Sequence, residues 1–321
     1  MKNEIIIKET ESVEVALKRT EMLFSITAKL LSKKGVANWK SSEVAQDRSW
    51  VEEIAKWSRE FGLGLPETYD ELIEVRGIIA NGWGYQDTKE EFSELNFDID
   101  ISKYCFADTE ILSVNEVTYI PKEIGNLLNL NELNLSYNQI SELPKEIGNI
   151  SHLEFLTLIN NQLSELPKEI GNLSNLEIIC LDNNPLLELP KTIGNLSKLQ
   201  ELWLQNVQIK EIPKEIGNLS NLKEIIIYNT RLLELPKEIG NLTNLQVLSL
   251  AENKMLELPK EIWKLTNLKK LYLSSNQLSE LPKEIGNLYN LWCLRLSNNQ
   301  LSDSEKEKIR KLLPNCKDIR F

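Results

Sequence analysis

The sequence predicts a right-handed α/β solenoid, a stack of coils whose short parallel strands line a concave sheet, joined to a mostly α-helical N-terminal domain. Three observations predict it. Prolines recur at 121, 144, 167, 190, 213, 236, 259 and 282, each 23 residues after the last, with no insertion to break the frame. Around each proline the aliphatic positions repeat as well, and Leu133-Asn-Leu135 and its equivalents show two aliphatic residues flanking one outward residue, the period of two of a strand. Residues 1 to 104 carry none of this pattern and hold Trp39, Trp50, Trp57 and Trp83, enough aromatic mass for a separate small core. The length of 321 residues, with 41% hydrophobic and 26% charged residues, suits an ordinary globular chain of about two domains.

In the N-terminal domain, Ser12 to Lys34 is apolar at Val13, Ala16, Leu17, Leu23, Ile26, Leu30 and Leu31 and reaches Gly35, which reads as a helix with its C-cap. Asp47 to Phe61 places Trp50, Ile54, Trp57 and Phe61 at helical spacing and stops at Gly62. Pro66 and the capping pattern Thr68-Tyr-Asp-Glu71 open a third helix to about Ala80. Gly62-Leu-Gly64 and Gly82-Trp-Gly84 lack the third glycine and the strand-to-helix setting of a dinucleotide loop, so they read as turns. The region is faintly similar to helical domains of uncharacterised bacterial proteins, and none of its motifs transfers a function. A solenoid needs its open end covered, which favours a capping role; an activity of its own is the alternative.

The repeat unit is well represented by Leu166-Pro-Lys-Glu-Ile-Gly-Asn-Leu-Ser-Asn-Leu176 followed by Glu-Ile-Ile-Cys-Leu181-Asp-Asn-Asn184. Over residues 105 to 321 it resembles the leucine-rich repeat of bacterial type, and the near-identical copies are similar to those of bacterial proteins of that family, many of them host-facing or of unknown role. Eight regular coils follow a degenerate first coil marked by Leu112, Asn115, Val117 and Ile120, so the array runs over 105 to 302. The column after the strand reads Asn115, Asn138, Asn161, Asn184, Val207, Thr230, Asn253, Asn276, Asn299. Asparagine there can satisfy backbone groups where the chain leaves the sheet, and only Val207 and Thr230 interrupt the ladder. Asp303 to Leu313 reads as a helix with Asp303 or Ser304 as N-cap, stopped by Pro314, and Asn315 to Phe321 can add an edge strand. Residues 303 to 321 then form the C-terminal cap, with no room beyond it for an enzyme domain.

Outward strand residues form three columns. Glu132, Phe155, Ile178, Glu201, Glu224, Val247, Lys270 and Cys293 precede the core leucine; Asn134, Thr157, Cys180, Trp203, Ile226, Ser249, Tyr272 and Arg295 follow it; Ser136, Ile159, Asp182, Gln205, Tyr228, Ala251, Ser274 and Ser297 come last. Phe155, Ile159, Ile178, Trp203, Ile226 and Tyr228 cluster on coils two to five, with Tyr272 and Arg295 further on. Solvent-facing positions have no packing need for such residues, so the cluster is expected to be an exposed patch that binds a partner protein. Glu132, Asp182, Glu201 and Glu224 lie early, and Arg231, Lys254, Lys270 and Arg295 late, a polarity that would orient the partner. The Pro-Lys-Glu-Ile-Gly-Asn side scarcely varies and reads as scaffold.

The net charge of -11 opposes binding to a polyanion, so nucleic acid is not an expected partner. His152 is the one histidine, and Cys105, Cys180, Cys293 and Cys316 have no zinc-ligand spacing, so neither metal nor cofactor is expected. No stretch reaches the length of a signal h-region or a membrane span; a cytoplasmic monomer is expected, and export would need a route that reads no Sec-type signal. Cys180-Leu-Asp182 matches the Cys-x-Asp of bacterial effector ubiquitin ligases with similar repeats, but it lies on a strand of the array rather than in a separate catalytic domain. The Asn-x-Ser/Thr triplets, such as Asn172-Leu-Ser174, are by-products of the repeat. The expected function is therefore a non-catalytic protein-binding module, the alternative being an effector whose N-terminal domain carries an activity that the repeats deliver.

Overall fold

The computed structural model describes residues 49–63, 65, 77–79 and 117–321. The chain divides into two compact units, and the described residues belong to the one made of Arg48–Glu91 and Ser113–Phe321. Helix α1, Ser49–Phe61, opens it and is followed by strand β1, Gly77–Ile79. One strand per coil comes next: β2 Glu132–Asn134, β3 Phe155–Thr157, β4 Ile178–Cys180, β5 Glu201–Trp203, β6 Glu224–Ile226, β7 Val247–Ser249, β8 Lys270–Tyr272 and β9 Cys293–Arg295. Helix α2, Asp303–Leu312, and strand β10, Asp318–Arg320, close the chain. Among the described residues all ten strands form one parallel sheet in sequence order.

Each coil builds itself from the repeat. Proline, fixed near a φ of -65°, sets the start of a five-residue 3-10 helix such as Lys168–Asn172. Ile170 N–H then bonds Pro167 C=O at 3.0 Å and Leu173 N–H bonds Ile170 C=O at 3.2 Å, so the tight turn satisfies its own backbone. From β2 to β9 the register couples residues one repeat apart, as in Leu156↔Ile179 and Ile179↔Leu202. Leucines and isoleucines of every coil thus stack into one continuous core, with Leu133, Leu156, Ile179, Leu202, Ile225, Leu248, Leu271 and Leu294 fully buried.

Glycine in Lys-Glu-Ile-Gly-Asn marks a close approach between coils. A Cβ on Gly171 would lie 2.3 Å from Thr192 O, and one on Gly148 2.3 Å from Glu169 O. The 3-10 segment Lys260–Lys264 has Trp263 at this place, 2% exposed, so the coil after it must stand further off to admit an indole.

α1 lies where the periodicity of Trp50, Ile54, Trp57 and Phe61 puts it, and Gly62 ends it with a φ of +67°, a conformation glycine adopts freely. Ile54, Trp57 and Phe61 join the core of the coils. The Trp57 indole donates to Tyr119 C=O at 2.9 Å, the Phe61 and Tyr119 rings meet edge to face, and the Tyr119 hydroxyl donates to Glu60. The helix expected to run from Pro66 to about Ala80 is corrected at its end, because 77–79 are strand β1; the Ser12 to Lys34 helix and the rest of the third lie outside the described residues. β1 pairs in parallel with β2, Gly77 beside Glu132 and Ile79 beside Asn134, and extends the sheet beyond the first regular coil. Strand pairing uses main-chain groups alone, so an edge accepts a partner that carries no repeat signature. Val117 and Ile120 of the degenerate coil are buried, and Leu112 and Asn115 lie outside the described residues.

At the other end, the cap of α2 is Ser302, one residue before the expected Asp303 or Ser304; its hydroxyl accepts from Glu305 N–H at 3.2 Å. Glu305 accepts from Leu281 N–H and Lys308 donates to Leu281 C=O, so α2 satisfies groups that another coil would have bonded. β10 pairs with β9, and the Arg295–Asp318 ion pair ties them together.

Candidate protein-binding face

The first two columns alternate with the buried leucines along each strand, as Glu132 and Asn134 do on either side of Leu133, and the third column follows just beyond the strands. In the second column Cys180, Trp203, Ile226, Ser249 and Tyr272 are in register on successive strands. Their exposure, however, corrects the expectation of an open apolar patch. Ile226 is fully buried, Trp203 is 2% exposed, Tyr272 3% and Ile159 5%, while Ile178 and Tyr228 reach 8%. Phe155 and Arg295 are half-buried. In-register stacking at about 4.8 Å sets each side chain directly beside two neighbours. Where large Trp203 and Tyr272 alternate with small Cys180 and Ser249, the large groups can lie along the sheet and cover the small ones. The accessible residues of the face are Glu132, Phe155, Glu201, Glu224 and Lys270 of the first column, Arg295 of the second, and Ser274 and Ser297 of the third, all half-buried.

A buried carboxylate is set into the same face. Asp182 is 1% exposed and accepts from Gln205 N–H at 2.7 Å and from the Gln205 amide at 3.3 Å. Desolvation pushes its pKa up to about 7 from 3.8, and the two hydrogen bonds offset only part of that. Tyr228 is also pushed up, by burial first and then by its bond to Glu252. Burial raises the Cys293 thiol and pushes Cys316 up to about 11, so neither is an activated thiolate. Among the described residues, no group of His, Cys, Asp and Glu could hold a metal ion, and no helix is long and apolar enough to cross a membrane.

Beside the face runs the asparagine ladder. The Asn184 amide donates to Leu158, Leu181 and Asp182 carbonyls at 2.8, 2.9 and 3.2 Å and its oxygen accepts from Leu163 N–H at 3.0 Å. Asn161, Asn276 and Asn299 make matching sets, and Asn138 donates to Leu135 and Ser136 carbonyls and accepts from Val117 N–H. Thr230 patches its gap: its hydroxyl donates to Asn253 Oδ1 at 2.6 Å and accepts from Leu232 N–H at 3.2 Å, and the Asn253 amide donates to Ile227 and Leu250. Val207 has nothing to offer. One residue earlier, Asn160, Asn183, Asn206 and Asn229 all have φ between 48° and 56°, the left-handed region asparagine tolerates best after glycine. Asn229 donates to Asn206, and Asn206 to Asn183, at 2.7 and 2.6 Å.

A further ladder escapes the sequence reading. On the exposed edge opposite, Asn175, Asn221, Asn244, Asn267 and Asn290 each donate to a carbonyl 24 residues earlier. His152 takes the same place in its coil, its Nδ1 2.9 Å from Leu128 O. The recurring Leu-Ser/Thr-Asn-Leu was the available signal. The lone histidine is thus a coil-to-coil strut.

A family model for the leucine-rich repeat region matches residues 108–230 and 214–320. The comparison with curated proteins returned no match. Among solved structures, internalin C2 of Listeria monocytogenes is 23% identical over 63% of this chain and 84% of its own, with a TM-score of 0.53. A leucine-rich repeat protein of Leptospira interrogans is 33% identical over 64% of this chain and 82% of its own, at a TM-score of 0.29. A plant peptide hormone receptor in complex with RGF2 is 31% identical over 66% of this chain, which spans 40% of that receptor, at a TM-score of 0.49. With the repeat read from the sequence, the in-frame coils seen in the structure and a family model matching most of the chain, this protein belongs to the leucine-rich repeat family.

Proposed function

We propose that the protein is a non-catalytic interaction module that holds a partner protein against the outer face of its sheet. The observation that carries this reading is where the repeats differ. Pro-Lys-Glu-Ile-Gly-Asn recurs almost unchanged around the 3-10 turns, whereas the three strand columns change character from coil to coil. A surface whose composition is free of the repeat is one that can encode a partner. Phe155, Ile159, Ile178, Trp203, Ile226 and Tyr228 supply apolar and aromatic mass, with Tyr272 and Arg295 on the later coils. Half-buried Phe155, Glu201, Glu224 and Lys270 make first contact, and the buried aromatics beneath are reached as the partner seats. On this reading helix α1 covers the first end of the core and residues 303–321 the last.

The test is affinity capture from extract with the wild-type protein beside Trp203→Ala/Tyr228→Ala and, because Trp203 is buried, a second variant at half-buried positions, Phe155→Ala/Lys270→Glu. Circular dichroism first establishes that each is folded. Loss of the same captured protein from both folded variants supports the reading, and undiminished capture by Phe155→Ala/Lys270→Glu refutes it.

A further inference from the structure

Beyond the strand face, another column that departs from the repeat carries exposed leucines. It reads Ser141, Ser164, Leu187, Lys210, Leu233, Leu256, Ser279, on the segment between the asparagine ladder and the proline. Leu187, Leu233 and Leu256 are 59%, 56% and 66% exposed, the highest values among leucines of the described residues, with Leu128 next at 53%. Leu187 N–H bonds Ser164 C=O and Leu233 N–H bonds Lys210 C=O, so the column is held in register from coil to coil by main-chain contacts. Leucine here is not packing: the buried positions of the same segment are Leu232 and Leu235.

Charges flank this column in a definite order. Across one coil the chain reads Arg231, Leu233, Glu234, and across the next Lys254, Leu256, Glu257, all six exposed. Among the described residues none of the four charged groups is in an ion pair. Each of these two coils therefore presents a cation, an apolar side chain and an anion in a row. Such a row is complementary to itself when turned through 180° about an axis parallel to the stack of coils, because that rotation reverses the order across a coil and leaves each coil level with its counterpart.

We propose that this edge binds a second copy of the chain, side by side and parallel, in an isologous dimer rather than the monomer expected from the sequence. Leu233 and Leu256 meet their own counterparts on the axis. Arg231 faces the partner's Glu234 and Lys254 faces the partner's Glu257, each contact occurring twice. A two-fold axis across the coils would instead set the glutamate column against itself, so charge selects the parallel arrangement. Lys210 lies on the axis in the coil before and meets the partner's Lys210, which opposes the pairing and weakens the dimer.

Sedimentation velocity of the full chain over a concentration series tests this. The wild type is expected to rise from monomer towards dimer mass. Arg231→Glu/Lys254→Glu and Glu234→Arg/Glu257→Lys are each expected to stay monomeric, and an equimolar mixture of the two to associate again, since each 231–234 and 254–257 contact across the mixed seam is then of opposite charge. Lys210→Leu is expected to tighten association by roughly tenfold, by adding an apolar pair and removing a repulsion. The substituted side chains are exposed, so folding is not at issue, and circular dichroism verifies it. A wild type that stays monomeric throughout, charge-reversed variants that associate as the wild type does, or a mixture that fails to associate would each overturn the proposal.

Discussion

At the scale of single residues, the coils are joined by side chains that replace missing backbone partners. Asn184 shows the full set of bonds, and Val207 shows its loss, since a valine offers nothing to Leu186 N–H or to the Leu181 and Leu204 carbonyls. Val207→Asn should therefore stabilise the protein by about 1–2 kcal/mol in urea unfolding, a few net hydrogen bonds less the cost of burying an amide. Asp182 predicts a pH effect. Its folded pKa of about 7 lies above its ordinary 3.8, so the folded state holds the proton more tightly, and its contribution is complete below about pH 4 and is lost as pH rises through 7. Asp182→Asn keeps an acceptor for Gln205 N–H and should flatten that part of the stability profile, making the variant the more stable protein above pH 7. Denaturation followed from pH 4 to 8 measures both.

At the scale of elements, glycine and tryptophan at one repeat position set the distance between coils. Gly171→Ala drives a methyl into the Thr192 carbonyl and should cost about 1–3 kcal/mol, whereas Trp263→Ala empties a filled wedge and should cost about 3–5 kcal/mol, both read from thermal or urea unfolding. The solenoid and α1 were legible in the sequence because leucine period, proline frame and the Trp50 to Phe61 spacing all report which side chains turn inward. β1 was not, because its pairing with β2 is made by main chain alone. The second asparagine ladder was half visible: Leu-Ser-Asn-Leu repeats plainly, but its acceptor is a carbonyl in another coil. The burial of Trp203 and Ile226 was hidden for a related reason. Alternation assigns a side chain to a face, whereas its exposure depends on neighbours 23 residues away in either direction.

At the scale of the whole molecule, the array is a rigid repetition carrying a non-repetitive message. Leucine, proline, glycine and asparagine spend their chemistry on joining each coil to the next, and the columns that escape this duty are the outer strand face and the Leu187 to Leu256 edge. The two are separable, one proposed for a different protein and one for a second copy. The most direct test of the central claim is the affinity of a captured partner for Phe155→Ala/Lys270→Glu, compared with Lys168→Glu/Lys214→Glu on the invariant 3-10 side. The strand-face variant should lose about thirtyfold or more in Kd, the effect of a single hot spot, with the 3-10 variant within about twofold of wild type. Unchanged binding by the first, or a comparable loss in the second, would contradict the assignment of recognition to the strand face.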